Sequence, residues 1–219
     1  MTQSENCMNL YYGSEQVVER PLPNYGNSSN DYGLGFYLTP DYEMARLWAS
    51  RYPNGGYATT YSLNLTDLNV LHLGHESEKE VLAWLALLCS HRFSYSAMGK
   101  NEERIEWLIR NFLPSIEPYD VIVGYRADDA YFRYSRGFIE GDISLETLSE
   151  AMKVGRLGMQ HVLKSEKAFS SIRYIDSVRV PHDDSYALFR SAASDEYHRL
   201  ERKERVDNTF IRDLMRRYP

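Results

Sequence analysis

Two short aromatic segments, each interrupted by glycine, constrain the fold of this chain more than any other feature. They are residues 10–14, Leu-Tyr-Tyr-Gly-Ser, and residues 30–39, Asn-Asp-Tyr-Gly-Leu-Gly-Phe-Tyr-Leu-Thr. Glycine inside a strand marks a bulge or a place where another backbone or a ligand comes close. Two such strands near the start of one domain therefore predict the walls of a cleft. The alternative is that these glycines only form turns at the ends of strands.

The hydrophobic pattern predicts strands and helices that interleave without a regular β-α-β-α order. This mixture favours an α+β fold over a doubly wound sheet. Strands are expected at 8–12, 34–38, 57–65, 69–73, 120–125, 159–164 and 173–180. Helices are expected at 39–52, 77–91, 102–112, from about 129, at 144–155 and at 165–172. The composition becomes more charged after Pro181, which divides the chain into a domain at 1–180 and a helical C-terminal extension at 181–219.

Three helix starts carry capping signals. Thr39 is the expected N-cap of the first helix, with Pro40 at its first position. Ser77 and Glu80 have the spacing of a capping box, and Ser144 is the expected cap of a later helix. These signals set the predicted beginnings of the three helices.

Composition and charge exclude several classes of protein. The net charge of -6 argues against a general nucleic-acid binder, because phosphate neutralisation needs a basic surface, but it leaves a local basic patch open. Cys7 and Cys89 have no metal-ligand spacing and form no disulfide framework, which predicts a cytoplasmic protein. The N-terminus has no signal-peptide pattern. The longest apolar run, 81–89, is nine residues, far short of the ~20 that span a bilayer, so no membrane association is expected.

Several segments together resemble the ADP-ribosyltransferase superfamily, and more narrowly the bacterial DUF3990 family that is grouped with it. The most specific are Gly33-Leu-Gly-Phe-Tyr37 and Val123-Gly-Tyr-Arg-Ala-Asp-Asp129. The others are residues 10–14, 45–49 and 160–168. The resemblance covers most of residues 8–175, and the chain beyond about 180 lies outside it.

The resemblance implies a fold and a set of site residues. NAD would lie in a cleft between two small antiparallel sheets. Gly13 would offer its backbone to the nicotinamide amide, and Tyr37 would stack on the nicotinamide ring. Gln160 would stand where a glutamate binds the nicotinamide ribose. The other residues that the resemblance assigns to cofactor binding are Tyr12, Ser14 and Arg126.

Two positions depart from the expected residues, since Tyr12 replaces a histidine and Gln160 replaces the glutamate. A carboxylate stabilises the positive charge that develops on the ribose as the nicotinamide bond breaks. That charge is worth about 4 kcal/mol at about 4 Å and an effective dielectric constant near 20. Glutamine keeps the hydrogen bond and loses the charge.

Asp128 and Asp129 directly follow a predicted buried strand, and Asp128 is the candidate for the missing catalytic carboxylate. The alternative is that one of these aspartates only caps the next helix. Arg126 is interpreted in a similar way, either as a contact to the NAD pyrophosphate or as part of a surface ion pair.

The function implied by the resemblance is NAD-dependent mono-ADP-ribosylation of a macromolecule. NAD is then the substrate, and a protein acceptor is favoured slightly over nucleic acid. The expected context is the toxin of a toxin–antitoxin or phage-defence module, with an antitoxin protein as a further partner. Two alternatives stay open: a catalytically weak module that binds NAD or another nucleotide, and an NAD glycohydrolase.

Overall fold

The computed structural model describes residues 6–23, 25–74, 76–92, 101–127, 132–154, 158–202 and 207–219. These residues form an α+β fold, as the sequence predicted. The strands are β1 (Cys7–Ser14), β2 (Phe36–Leu38), β3 (Gly56–Asn64), β4 (Val70–Leu73), β5 (Val121–Tyr125), β6 (Met159–Leu163) and β7 (Ile172–Val180). The helices are α1 (Tyr42–Ser50), α2 (Glu78–Arg92), α3 (Glu102–Phe112), α4 (Phe132–Glu140), α5 (Leu145–Val154), α6 (Glu166–Ser171), α7 (Ser185–Glu201) and α8 (Ile211–Arg217).

The strands form two small sheets. The first has the order β1-β3-β7, and all its pairs are antiparallel. The second has the order β2-β6-β5-β4, and its edge strand β4 runs parallel to β5. The expectation of two purely antiparallel sheets is therefore wrong at that edge. A parallel pair needs a long crossover connection, and the segment with α2 and α3 supplies it.

The two sheets are joined at one backbone bridge between β1 and the end of β2. The amide of Tyr11 donates to the carbonyl of Thr39 at 2.7 Å, and the amide of Thr39 donates back at 2.9 Å. Both strands are edges of their own sheets. The bridge therefore holds the two glycine-bearing segments side by side.

This bridge also explains why the first helix begins later than predicted. The backbone of Thr39 is used by Tyr11, so it is not available to start α1. The N-cap is Asp41, whose Oδ1 accepts from the amides of Glu43 at 2.9 Å and Met44 at 3.3 Å. The predictions of Thr39 as cap and Pro40 as first helical residue are wrong.

Apolar side chains fill two layers on the faces of the second sheet. One layer lies between the sheets, where Leu10, Tyr61 and Leu63 meet Phe36, Leu38, Val121, Val123 and Leu163. The other lies between the second sheet and the helices, and it includes Ile122 and Val162. Successive residues of a strand point to opposite faces, so β5 is apolar at consecutive positions because both of its faces are buried.

Helix α2 is buried on almost every side. The predicted apolar face, Val81, Trp84, Leu85 and Leu88, is buried, and so are Leu82, Ala86, Leu87 and Cys89. A helix that is apolar all round belongs in the core of a protein. Across the part of the chain that the structure describes, every helix is too short or too polar to cross a bilayer.

The last two helices pack into the same core as α2. Tyr197 and Leu200 of α7 and Ile211 and Leu214 of α8 are buried in that cluster. The indole Nε1 of Trp107 donates to the carbonyl of Tyr218 at 2.6 Å. These contacts attach the segment 181–219 to the helical layer over the second sheet.

Candidate functional site

A cleft of about 350 Å³ lies beside β2, and residues of both sheets line it, Tyr12 of the first sheet and Tyr37 and Gln160 of the second. Its volume falls within the range of about 300–1,000 Å³ that is typical of ligand sites. Five aromatic side chains line it: Tyr12, Tyr25, Tyr37, Trp48 and Tyr186. The charged and amide side chains that line it are Asn30, Asp31, Arg51, Arg92, Arg126 and Gln160. The prediction that the two glycine-bearing segments line a cleft is confirmed.

Four of the residues that the resemblance assigned to a cofactor site lie in this cleft. They are Tyr12 on β1, Tyr37 on β2, Arg126 directly after β5 and Gln160 on β6. They come from distant parts of the sequence, and the pairing of β2 and β5 with β6 brings three of them together. Asp128, the candidate catalytic carboxylate, lies outside the residues that the structure describes.

Gly13 and Ser14 are not among the residues that line the cleft. Gly13 packs against α1, and a Cβ atom added there would lie 2.1 Å from the backbone oxygen of Ala45. The hydroxyl of Ser14 donates to the carbonyl of Gln16 at 2.7 Å. Glycine at position 13 therefore permits the close approach of a helix and a strand.

Gln160 is buried, with 2% of its surface exposed, and its amide nitrogen has two partners. Nε2 donates to Asp31 Oδ2 at 3.2 Å and to the carbonyl of Tyr125 at 3.3 Å. On the opposite face of β6, His161 points away from the cleft, as the alternation of a strand predicts.

Asp31 is a site residue that the sequence reasoning missed. Its side chain is buried, lines the cleft and forms an ion pair with Arg92 at 2.8 Å. Its Oδ2 also accepts from the amide of Ala127 at 2.9 Å. The signal that could have identified it is its position in the matching segment 30–39, where it lies two residues before Gly33.

The loop from Asp31 to Gly35 is held in place by side chains of the sheet. The hydroxyl of Tyr37 donates to the carbonyl of Gly33 at 2.6 Å. Lys164 donates to the carbonyl of Tyr32 at 2.7 Å and also to that of Leu34. Gly33 has a φ of +73°, a conformation that side-chain-bearing residues rarely adopt. Glycine at 33 is thus needed for the loop that presents Asp31.

Cationic and aromatic side chains alternate along the α1 wall of the cleft. The guanidinium carbon of Arg126 lies 3.6 Å from the centre of the Trp48 ring. Arg51 lies 5.3 Å from the same ring and 5.8 Å from the ring of Tyr186 on α7. Arg126 is buried, with 5% exposed, so the alternative that places it on the surface is wrong.

The cleft is locally positive on an acidic protein. Among the described residues that line it, three arginines face one aspartate, which gives a net charge of +2, whereas the whole chain carries -6. Arginine binds phosphate through planar paired donors, and tyrosine and tryptophan stack on flat rings. The lining therefore suits a ligand with both phosphate and aromatic groups. Within the described ranges, no three His, Cys, Asp or Glu side chains are grouped to hold a metal ion.

Comparison with known proteins gives one match. The model of a family described as a protein of unknown function, DUF3990, matches residues 8–174. This segment contains β1 from its second residue, all of β2 to β6, and all of the cleft lining except Tyr186. No curated protein and no solved structure matches the chain.

Proposed function

The chain belongs to the DUF3990 family, and from this premise we propose that its cleft binds NAD and transfers ADP-ribose to a macromolecule. The family match covers residues 8–174 and carries no activity with it. The proposal therefore depends on the chemistry of the cleft and on the resemblance to ADP-ribosyltransferases.

One observation carries the proposal. Tyr12, Tyr37, Arg126 and Gln160 were assigned to an NAD site from separate sequence segments, and the same four residues line one cleft. Two further residues assigned to that site, Gly13 and Ser14, do not line the cleft. The convergence of the other four supports a common ligand.

The lining matches the parts of NAD by chemical type. The tyrosine and tryptophan rings offer stacking surfaces for the nicotinamide and adenine rings. Arg51 and Arg126 offer cationic donors for the pyrophosphate. Gln160 offers an amide oxygen to a ribose hydroxyl, because its nitrogen is already engaged. The cleft thus has a suitable group for each part of the molecule.

In the proposed reaction, the bond between the nicotinamide nitrogen and C1′ of the ribose breaks. Nicotinamide leaves with the bonding electron pair and becomes neutral. A nucleophilic atom of the acceptor forms the new bond to C1′ and loses its proton to solvent or to a base. The positive charge that develops on the ribose has to be stabilised by the protein, and negative or hydrogen-bond-accepting groups around it do this.

The test is to follow NAD that is radiolabelled in its adenylate phosphate. The purified protein is incubated with it, with and without a bacterial lysate, and free nicotinamide and acid-insoluble label are both measured. We expect nicotinamide release together with label on a macromolecule. Digestion of the labelled material with protease, RNase or DNase identifies the acceptor class, and protein is expected.

Matched variants make this test specific to the cleft. Gln160→Ala should reduce turnover more than NAD affinity, because its contact strengthens as charge develops on the ribose. Glu43→Gln alters an exposed ion pair on α1 and should leave turnover and NAD affinity unchanged. Failure of the wild-type protein to bind NAD, measured by calorimetry, would show that the proposal is wrong.

A second candidate function is NAD binding with little or no transfer, and Gln160 is the observation that favours it. The neutral amide lacks the charge of the expected glutamate, which lowers the expected rate. Nicotinamide release with label remaining soluble would indicate a glycohydrolase instead. Binding without release would indicate a binding module.

The toxin context is proposed along with the transferase activity. Induced expression of the wild-type chain in bacteria should arrest growth, whereas Gln160→Ala at the same expression level should not. Equal growth of the two strains would count against a toxin.

A further inference from the structure

We propose that Asp31 is the positioning residue of this site, and that the Asp31–Gln160 pair replaces the single carboxylate expected at position 160. This inference depends on the proposed function for what the pair acts on. The pair spans 129 positions of sequence and is joined by a hydrogen bond of 3.2 Å between Gln160 Nε2 and Asp31 Oδ2.

The hydrogen bonds determine which way the Gln160 amide points. Both partners of Nε2, the carboxylate of Asp31 and the carbonyl of Tyr125, accept hydrogen bonds and carry no proton to donate. A flipped amide would place its oxygen against two other oxygens, because the nearby Tyr32 hydroxyl already donates its proton to the carbonyl of Tyr125 at 2.6 Å. The nitrogen is therefore held by the protein, and Oε1 is the acceptor that remains for a ligand.

Asp31 is itself held as a fixed carboxylate. Oδ1 accepts from Arg92 at 2.8 Å, and Oδ2 accepts from the amide of Ala127 at 2.9 Å. Its 8% exposure limits screening by water. Charge-assisted bonds of this kind are stronger than neutral ones. These contacts fix the position of the Asp31 carboxylate, and from that position it orients the amide of Gln160.

The same hydrogen bond increases the negative charge on the amide oxygen of Gln160. A carboxylate that accepts from an amide N–H polarises the amide and makes its oxygen a better acceptor. Gln160 Oε1 would then carry more negative charge than an ordinary amide oxygen. The pair supplies a ribose-binding acceptor with an anion behind it, and a glutamate at 160 would combine these two roles in one side chain.

This arrangement also accounts for a glutamine at position 160. A glutamate there would place two carboxylates within hydrogen-bond distance of each other, and like charges at such a distance oppose joint ionisation. The charge is held by Asp31, and position 160 has to be neutral. Exchanging the two roles, with Asn at 31 and Glu at 160, would remove the repulsion and restore one negative charge.

The alternative is that Asp31 and Arg92 only brace the loop against α2. If Asp31 only stabilises the loop, its substitution should lower the stability of the protein and leave the rate of nicotinamide release per folded molecule unchanged. The positioning role predicts a lower kcat with a nearly unchanged KM, and a rescue that depends on residue 160. The two roles therefore differ in a measurable way.

The experiment compares four proteins: wild type, Asp31→Asn, Gln160→Glu and the double variant. Nicotinamide release gives kcat and KM for NAD, and thermal unfolding shows which fraction is folded at the assay temperature. We expect each single variant to lose at least ~10-fold in kcat with KM changed less than ~3-fold, and the double variant to recover to within ~3-fold of wild type. Glu43→Gln, which removes an exposed carboxylate on α1, is the matched control and should behave as wild type.

Two results would overturn the positioning role. One is a kcat for Asp31→Asn equal to wild type once the folded fraction is considered. The other is a double variant no faster than the slower single variant, since independent effects add.

A measurement without NAD separates this inference from the proposed function. In wild-type protein the two side-chain amide protons of Gln160, assigned by comparison with Gln160→Ala, should give distinct NMR signals that exchange slowly. In Asp31→Asn they should shift and exchange faster. If wild type does not bind NAD, the proposed function is wrong, while these signals still decide the pairing. Unchanged signals in Asp31→Asn would overturn the pairing itself.

Discussion

The hydroxyl of Tyr37 donates to the carbonyl of Gly33 across 2.6 Å, so a residue of strand β2 holds the loop that precedes it. The same oxygen accepts from the amide of Tyr32 at 2.9 Å. Burial raises the pKa of the Tyr37 hydroxyl well above its ordinary value, which keeps it protonated as a donor. Its ring lines the cleft, so Tyr37 has one group for the loop and another for a ligand.

Two substitutions separate these roles. Tyr37→Phe keeps the ring and should lower the free energy of unfolding by about 1–2 kcal/mol, because the loop loses two hydrogen bonds. Its NAD affinity should stay near that of wild type. Tyr37→Ala should also weaken NAD binding by ~1–3 kcal/mol if the ring stacks on the ligand. Calorimetry and urea unfolding measure the two effects, and equal NAD affinity for wild type and a folded Tyr37→Ala would exclude stacking.

Gly13→Ala should destabilise the protein through the contact between β1 and α1. The added Cβ would lie 2.1 Å from the oxygen of Ala45 and 2.8 Å from Trp48 Cβ, so the helix has to shift. Overpacking of this kind costs about 1–3 kcal/mol, which urea unfolding measures.

The matched control for Gly13→Ala is Gly74→Ala. The nearest atom to a Cβ at position 74 is Oε2 of Glu80, at the end of a side chain that can move aside. If Gly13→Ala lowers the free energy of unfolding no more than Gly74→Ala does, the packing of Gly13 against α1 does not require glycine. Gly13→Ala with normal stability and lost NAD binding would support the direct cofactor role instead.

Tyr186→Ala should weaken binding of ligands that contact the α7 side of the cleft. Tyr186 lies on α7, beyond the segment that matches the family, and its ring faces the guanidinium of Arg51 at 5.8 Å. Removing it should reduce the affinity for ADP-ribose by about 3–10-fold, an estimate from cation–π energies of ~0.5–1 kcal/mol plus lost ring area. Leu188→Ala is the control on the same helix, because Leu188 is 69% exposed and is not part of the lining. If the two substitutions reduce the affinity for ADP-ribose equally, α7 affects binding only by stabilising the fold.

The stability of the protein should fall between pH 6.5 and pH 4 because of His161. Burial, with a smaller contribution from His72, lowers the pKa of His161 from 6.5 to about 4. The unfolded chain therefore binds this proton first as the pH falls. The free energy of unfolding decreases by up to about 3 kcal/mol across this interval. Above pH 6.5 this contribution is constant.

Urea unfolding at several pH values checks this sign. His161→Leu should flatten the slope between pH 6.5 and pH 4, and His198→Gln, on an exposed face of α7, should not. Burial also lowers the pKa of His91, so part of the slope should persist in His161→Leu. An unchanged slope in that variant would show that His161 does not control it.

Local signals predicted the elements well where their hydrogen bonds are also local. Ser144 caps α5 as expected, and its Oγ accepts from the amide of Thr147 at 3.1 Å. Ser165 caps α6 by the same geometry. Thr39 failed as a cap because a distant residue, Tyr11, uses its backbone. A capping signal fails where a distant residue uses the backbone of the cap residue, whereas a distant side-chain contact, such as that of Ser165 with Asp120, leaves the cap intact.

The candidate site was predictable in part, through the resemblance of separate segments to a family. Tyr12, Tyr37 and Gln160 were found because they belong to recognisable segments, and alternation along each strand then determines the face of the side chain. Asp31 was missed because its partners Arg92, Ala127 and Gln160 are 61, 96 and 129 positions away. Tyr186 was missed because it lies in a segment with no resemblance to a family.

The sequence by itself determined the α+β class, nearly all of the helices and strands, and four residues of the cleft. The class and the elements depend on periodicity, glycine and short-range hydrogen bonds, which are encoded within a few residues. The four cleft residues came from the resemblance of their segments to a family. Only the tertiary structure decided the parallel pairing of β4 with β5, the packing of Gly13 against α1 and the bond between Asp31 and Gln160. Each of these is a contact between distant segments, and its geometry exists only after the sheets and helices have packed together.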